Sequence, residues 1–296
     1  MDYKLVLAVL LIGHFFGDFY FQSENMAKKK DETTSFMALH GFLYLLAFLP
    51  ALFFFTVSWE SFYLILSIPV SHYIFDVIKG HRIKKKGFSK KHHEGYIFFI
   101  DQAIHIAAII SVVCIYATRC SVASFDAFKC LVDWYKNLEI GWSGQEIVRF
   151  ICLFAFLGKP ANIFVQNLFK VIDKNGDTKP QKIEETDAIT GTVGDKQVAL
   201  VIQKSEKTDT QTNTNEQRTG RVIGLLERFL IAILVITGQY VAIGFVIAAK
   251  SLTRFDKISN DPDFAEKYLI GTMSSMIFAI AGALLCMFIP YSALVL

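Results

Sequence analysis

The sequence predicts an all-α, polytopic transmembrane bundle of about seven helices, and three observations predict it. Hydrophobic residues fill 53% of the 296 positions, 28 of them Phe, and mean hydropathy is +0.41, beyond the roughly 45–50% apolar content of soluble domains. Charged residues amount to only 19% and gather in a few runs. Between those runs lie apolar stretches of about twenty residues, the length that crosses a ~30 Å hydrocarbon core. A water-soluble protein is thereby excluded. A net charge of +3 is too small to argue for nucleic acid, so the partner to expect is the lipid bilayer, with basic residues orienting the helices.

The predicted spans are about 3–22, 36–57, 60–79, 97–117, 146–169, 222–249 and 267–289. In the first, Leu5 to Gly13 resembles the apolar core of a secretory leader. However, Asp2 and Lys4 leave no net positive charge ahead of it, the apolar run continues through Phe15, Phe16, Phe19 and Phe21, and no small-x-small site follows, so a retained helix is expected. The loop after it carries Lys28, Lys29 and Lys30, and the loop after the third span carries Lys79, Arg82, Lys84, Lys85, Lys86, Lys90 and Lys91. Both are expected in the cytoplasm. The turn Val57 to Glu60 has no basic residue and belongs outside, with Trp59 as an interfacial anchor, which puts the N-terminus outside as well.

The fifth span contains Arg149, Lys159 and Pro160. It is either a crossing helix or a broken one followed by an amphipathic segment, Ala161 to Val171, in which Ile163, Phe164, Leu168 and Val171 recur at helical spacing. The sixth opens with Gly220-x-x-x-Gly224, a spacing that favours close helix packing. At its far end Lys250 and Arg254 flank Ser251; they conflict with a basic cytoplasmic side if the fifth span crosses, although Asp256, Asp261, Asp263 and Glu266 offset them.

Three portions follow: 1–171, an N-terminal bundle; 172–219, a flexible hydrophilic connector; and 220–296, a two-helix membrane unit. The connector ends in the low-complexity run Thr208 to Asn215 and has too little apolar surface for a core, with at most a short hairpin near Val198 to Ile202. The five cysteines fit no zinc spacing; Cys114, Cys152 and Cys286 lie in apolar stretches, and one Cys120–Cys130 disulfide is the most that can be argued.

Chemistry concentrates in the first four spans. Their interiors hold His14, Asp18, His40, His72, Asp76, Asp101 and His105, and each such group inside a bilayer is costly without a partner. Three spans present His and Asp four residues apart, on one helical face one turn apart. Asp18 precedes the first cytoplasmic loop and His40 follows it; Asp76 precedes the second and Asp101 follows it. An up-and-down bundle therefore brings all seven to the cytoplasmic third of the membrane. Imidazole with carboxylate is the ligand set of a divalent transition metal, zinc or manganese above all. A single His–Asp pair more often just bonds helix to helix, but three pairs and a fourth His at one depth favour a metal or proton-handling site. His81, His92 and His93 are read as solvated loop residues. Glu227, about one turn below the cytoplasmic interface, is a candidate general base or ligand, or else it snorkels with Arg228 at a helix end.

Gly13-His14 with Gly17-Asp18 and Gln22, His40-Gly41, Ser71-His72 with Phe75-Asp76, and Phe99-Ile100-Asp101-Gln102 with His105 resemble the bacterial membrane family catalogued as domain of unknown function 3307. Ile223 to Arg228, Ala248 to Ser251 and Leu269 to Thr272 are similar to its C-terminal region. The resemblance implies a multi-pass protein of the bacterial cytoplasmic (inner) membrane and supplies no reaction. A weaker similarity, to bacterial membrane-bound metal-dependent hydrolases, rests on His and Asp placed within helices.

Three functions stay open. The first is a metal-dependent hydrolase open to the cytoplasmic leaflet, acting on an anionic lipid or phosphate-bearing substrate: metal-bound water ionises near pH 7 and a spare carboxylate, Asp18 or Glu227, takes its proton. The second is a metal-ion or proton transporter, which needs polar groups along the whole depth or a broken helix at the midplane. The third is a scaffold or regulatory partner whose cluster is structural.

Overall fold

The structure, a computed structural model, describes residues 3–29, 33–55, 58–86, 91–119, 144–172 and 207–288. Among these there is no strand. Helix α1 (Tyr3–Phe15) widens into a π-helical turn at Phe16–Tyr20, and is followed by α2 (Glu24–Lys29), α3 (Thr34–Phe55), α4 (Trp59–Lys86) and α5 (Lys91–Arg119). Then come α6 (Gly144–Leu157), α7 (Lys159–Ile172), α8 (Lys207–Ile236), α9 (Tyr240–Leu252), α10 (Phe255–Asn260) and α11 (Pro262–Phe288).

Among the described residues six stretches are long and apolar enough to cross a membrane: Tyr3–Tyr20, Thr34–Phe55, Trp59–His81, Glu94–Arg119, Glu146–Ile172 and Pro262–Phe288. The chain is a multi-pass helical membrane protein. Its centre is α1, 61% buried over its span where the other five are 28–33%. Leu5, Val6, Leu10 and Phe15 of α1 pack with Tyr44 and Phe48 of α3, Ile65 of α4, Ile109 and Tyr116 of α5, and Cys152 and Ala155 of α6. A second core joins Leu153 and Leu157 of α6 to Ile231 and Val235 of α8, Ile243 of α9, and Ala279 and Ala283 of α11. Helix α6 therefore lines both cores, with opposite sides of one helix facing each.

The fifth span is broken, as Lys159 and Pro160 foreshadow. Proline has no N–H to give to the turn before it, and the helix interrupts at Gly158 before resuming as α7. The break docks on the π-helical turn of α1. Tyr20 Oη donates to the Ala155 carbonyl at 3.1 Å, the Lys159 amide donates to Tyr20 Oη at 3.3 Å, and Lys159 Nζ donates to the Phe19 carbonyl at 3.1 Å. Charges placed inside an apolar span thus serve carbonyls that two irregular helices leave over.

The sixth predicted span differs from expectation. At Thr237 to Gln239 the chain turns, with Gly238 at φ 73°, a left-handed conformation natural to glycine. Helix α9 then folds back on α8, so that Lys250 meets Glu227. The apolar part of α8 from Val222 is about 22 Å long and α9 about 20 Å, each short of the ~30 Å hydrocarbon thickness. The segment is a helical hairpin rather than one crossing. Lys250 and Arg254 accordingly lie at the end where the apolar part of α8 begins, and the conflict in charge orientation disappears.

Helix α8 begins at Lys207 and so takes in the low-complexity run from Thr208. Residues 173–206, with the hairpin expected near Val198, and the pair Cys120 and Cys130 lie outside the described residues. The basic segment after the third span is largely helical too, because α4 continues to Lys86 and α5 begins at Lys91.

Candidate metal centre

The seven predicted residues come from four helices and the π-helical turn, and the structure brings them together. His14 lies on α1 and Asp18 in the wide turn after it; His40 is on α3, His72 and Asp76 on α4, Asp101 and His105 on α5. Close approach of α1 and α3 depends on Gly17: a Cβ there would sit 2.6 Å from the Tyr44 ring. The π-helical geometry, frequent where function demands an irregular helix, is what carries Asp18.

Asp18 is the hub. Its Oδ1 is 3.4 Å from His40 Nε2 and 3.3 Å from His72 Nε2, and its Oδ2 accepts from Gln102 Nε2 at 2.6 Å. Asp76 Oδ2 is 3.3 Å from His40 Nε2 and 4.0 Å from His72 Nδ1. Its other oxygen, Oδ1, accepts from Lys79 Nζ at 2.6 Å. Lys79 also donates to both oxygens of Asp101, at 3.0 and 3.1 Å. His105 stacks on His72 with ring centroids 4.1 Å apart, and His72 stacks in turn on Tyr44 at 3.7 Å.

His14 is differently placed. Because Gln102 directs its amide nitrogen at Asp18, its Oε1 faces His14 Nε2 at 3.2 Å, which therefore carries the proton; Nδ1 accepts from Tyr44 Oη at 2.9 Å. Both nitrogens of His14 are engaged. The ring nitrogens of His105, by contrast, are buried without a hydrogen-bond partner among the described residues, whereas His72 Nε2 faces Asp18 Oδ1 at 3.3 Å. Buried polar atoms are rarely left so.

Three sets of side chains converge closely enough to share one ion: His14, Asp18 and His72; His40, His72 and Asp76; and Asp18, Asp101 and His105. Within each set the ligand atoms lie within 4.8 Å of one another. Three carboxylates, those of Asp18, Asp76 and Asp101, thus gather with four imidazoles and the Lys79 ammonium among buried or nearly buried groups, the donor set of a divalent cation.

Sequence reasoning missed Lys79, Gln102 and Tyr44. Lys79 was assigned to the basic loop, yet His72, Asp76 and Lys79 stand at i, i+4 and i+7, one helical stripe; reading α4 past position 79 would have found it. Tyr44 is likewise four residues after His40. Glu227 does not join the centre. It pairs with Lys250 in the α8–α9 hairpin, beside Thr272 and Ser275 of α11. Arg228 does not snorkel: it is 4% exposed, and its Nε donates to the Leu157 carbonyl at 2.9 Å, closing the broken end of α6. His81 is exposed, while His92 and His93 fall in the first turn of α5.

The family described as "Protein of unknown function (DUF3307)" matches residues 6–131. The N-terminal portion is thus similar to that family, and every His and Asp of the centre falls within the matched stretch, whereas Glu227, Arg228 and Lys250 lie beyond it. No curated protein and no solved structure matches the chain, so the likeness to membrane-bound hydrolases finds no counterpart there.

Proposed function

We propose that this protein holds a divalent transition metal, zinc or manganese, in its His/Asp centre and hydrolyses an anionic lipid or other phosphate-bearing substrate at the cytoplasmic leaflet of a bacterial inner membrane. One observation carries the reading. Buried His105 holds both ring nitrogens without a hydrogen-bond partner among the described residues, and His and Asp ligand atoms converge in three sets within 4.8 Å; a divalent ion would serve both features at once.

His40, His72 and Asp76 are the first ligands to expect, because Asp76 keeps Oδ2 directed at both imidazoles while Oδ1 engages Lys79. A bound metal supplies water acidified toward neutral pH. Asp18, oriented through Oδ2 by Gln102, presents Oδ1 beside His40 and His72 and would serve as the base for water at a metal held there. His14 fixes Gln102 from behind, and Tyr44 fixes His14. In the hydrolysis the water oxygen bonds to phosphorus, the bond from phosphorus to the leaving oxygen breaks, and the leaving oxygen takes up a proton.

A structural reading draws on the same network. Lys79 and Gln102 already satisfy part of the carboxylate cluster and tie α1, α4 and α5 together. Elemental analysis of detergent-purified protein separates the two. About one equivalent of transition metal per chain, with chelator-sensitive release of phosphate from anionic lipid vesicles, supports the hydrolase; metal-free protein of full stability supports the structural role.

A further inference from the structure

The centre contains two sets of ligands with no residue in common: His40, His72 and Asp76 on one side, and Asp18, Asp101 and His105 on the other. They are not equally available. Lys79 takes one oxygen of Asp76 and leaves Oδ2 toward the imidazoles, but it engages both oxygens of Asp101. The second set therefore has its carboxylate committed to an ammonium. Its imidazole, His105, is 3% exposed and holds two buried nitrogens without hydrogen bonds.

We infer that Lys79 stands in the place of a second cation: the wild-type centre takes one divalent ion at His40, His72 and Asp76, and removal of the ammonium opens a second metal position at Asp18, Asp101 and His105. Charge and geometry agree. With Lys79 present, its ammonium offsets carboxylate charge at Asp76 and Asp101, where a second cation would otherwise sit. Without it the cluster loses one positive charge, and Asp101 regains both oxygens beside His105. A lysine ammonium is a compact point charge with three donors, suited to bridging two carboxylates as a metal would, yet unable to polarise a substrate oxygen or acidify a water as a metal does. Lys79 is thus a positioning residue that limits the nuclearity of the centre.

This inference rests on the metal reading proposed above, and one experiment distinguishes the failure of each. Detergent-purified wild-type protein, Lys79→Met, Lys79→Arg and the double variant Lys79→Met/His105→Ala are stripped with chelator, reloaded with Mn²⁺, and analysed for bound metal and for the electron-spin signal of exchange-coupled manganese. The expected stoichiometries are one, two, one and one per chain, with a coupled signal in Lys79→Met alone. Lys79→Gln replaces Lys79→Met if the latter does not remain monodisperse. A single ion in both the wild type and the Lys79→Met or Lys79→Gln protein, or two in the wild type, overturns the role given to Lys79 and leaves the metal centre standing. Failure of all four proteins to retain metal overturns the centre itself.

Discussion

Both halves of this molecule bury charge in apolar helices, but they dispose of it in opposite ways. Around the second core, charges meet complementary groups: Glu227 meets Lys250, Arg228 meets the Leu157 carbonyl and Ser275, and Arg149 Nε of α6 donates to the Cys286 carbonyl of α11 at 2.8 Å. In the N-terminal half seven imidazole and carboxylate groups crowd together with one lysine, and His105 is buried without a hydrogen-bond partner among the described residues. The first pattern is what stability requires of a buried charge. The second concentrates ionisable groups that could hold a metal ion, and such intramembrane clusters are candidates for functional sites.

Substitutions on either side of that contrast should separate binding from stability. The largest effect is expected at Asp76, whose carboxylate faces two imidazoles and Lys79. Asp76→Ala should abolish retained metal, read by elemental analysis, because it removes the only carboxylate of the first ligand set. Arg228→Ala should do the reverse. Losing the bond to Leu157 and exposing a buried carbonyl should lower stability by about 2–4 kcal/mol, seen as a lower denaturation midpoint in detergent, with metal content unchanged.

Gly158→Ala probes the seam between the halves. An added Cβ would lie 2.1 Å from Tyr20 Oη, so Tyr20 must leave its place against the Ala155 carbonyl. The cost should be about 1–3 kcal/mol, and since Tyr20 closes the π-helical turn that carries Asp18, metal affinity should also fall by on the order of tenfold, as for other residues that support ligands. A stability loss with unchanged affinity would show that the turn does not depend on this seam. The smallest effect belongs to Gly238→Ala. Open space surrounds that position, so only its positive φ is at stake, and the cost should be about 1 kcal/mol with no change in bound metal.

The same contrast explains what could be read from sequence. The N-terminal helices were legible because their signals are local and periodic: twenty-residue apolar runs, and His and Asp at i, i+4 whose depth follows from the neighbouring loops. Convergence of His14, Asp18, His40, His72, Asp76, Asp101 and His105 followed from that depth alone. Lys79 was obscured because a lysine at the start of a basic run reads as an interfacial charge, and its inward turn depends on α4 continuing without a break to Lys86. The hairpin of α8 and α9 was hidden for another reason. Hydropathy cannot distinguish a 28-residue apolar run that crosses from one that turns back, and the turn rests on the backbone of Gly238. Glu227 was misplaced as a consequence, since its partner at Lys250 exists only if the chain reverses.

The central claim is that the His/Asp centre binds a divalent transition metal through nitrogen and oxygen. X-ray absorption at the metal edge of the purified wild-type protein tests it most directly. The expected spectrum has a shell of nitrogen and oxygen ligands at about 2.0–2.2 Å with imidazole scattering behind it and no sulfur near 2.3 Å, and the signal should vanish in Asp76→Ala. A protein without stoichiometric metal, or one whose metal shows sulfur ligation and survives Asp76→Ala, would contradict the account.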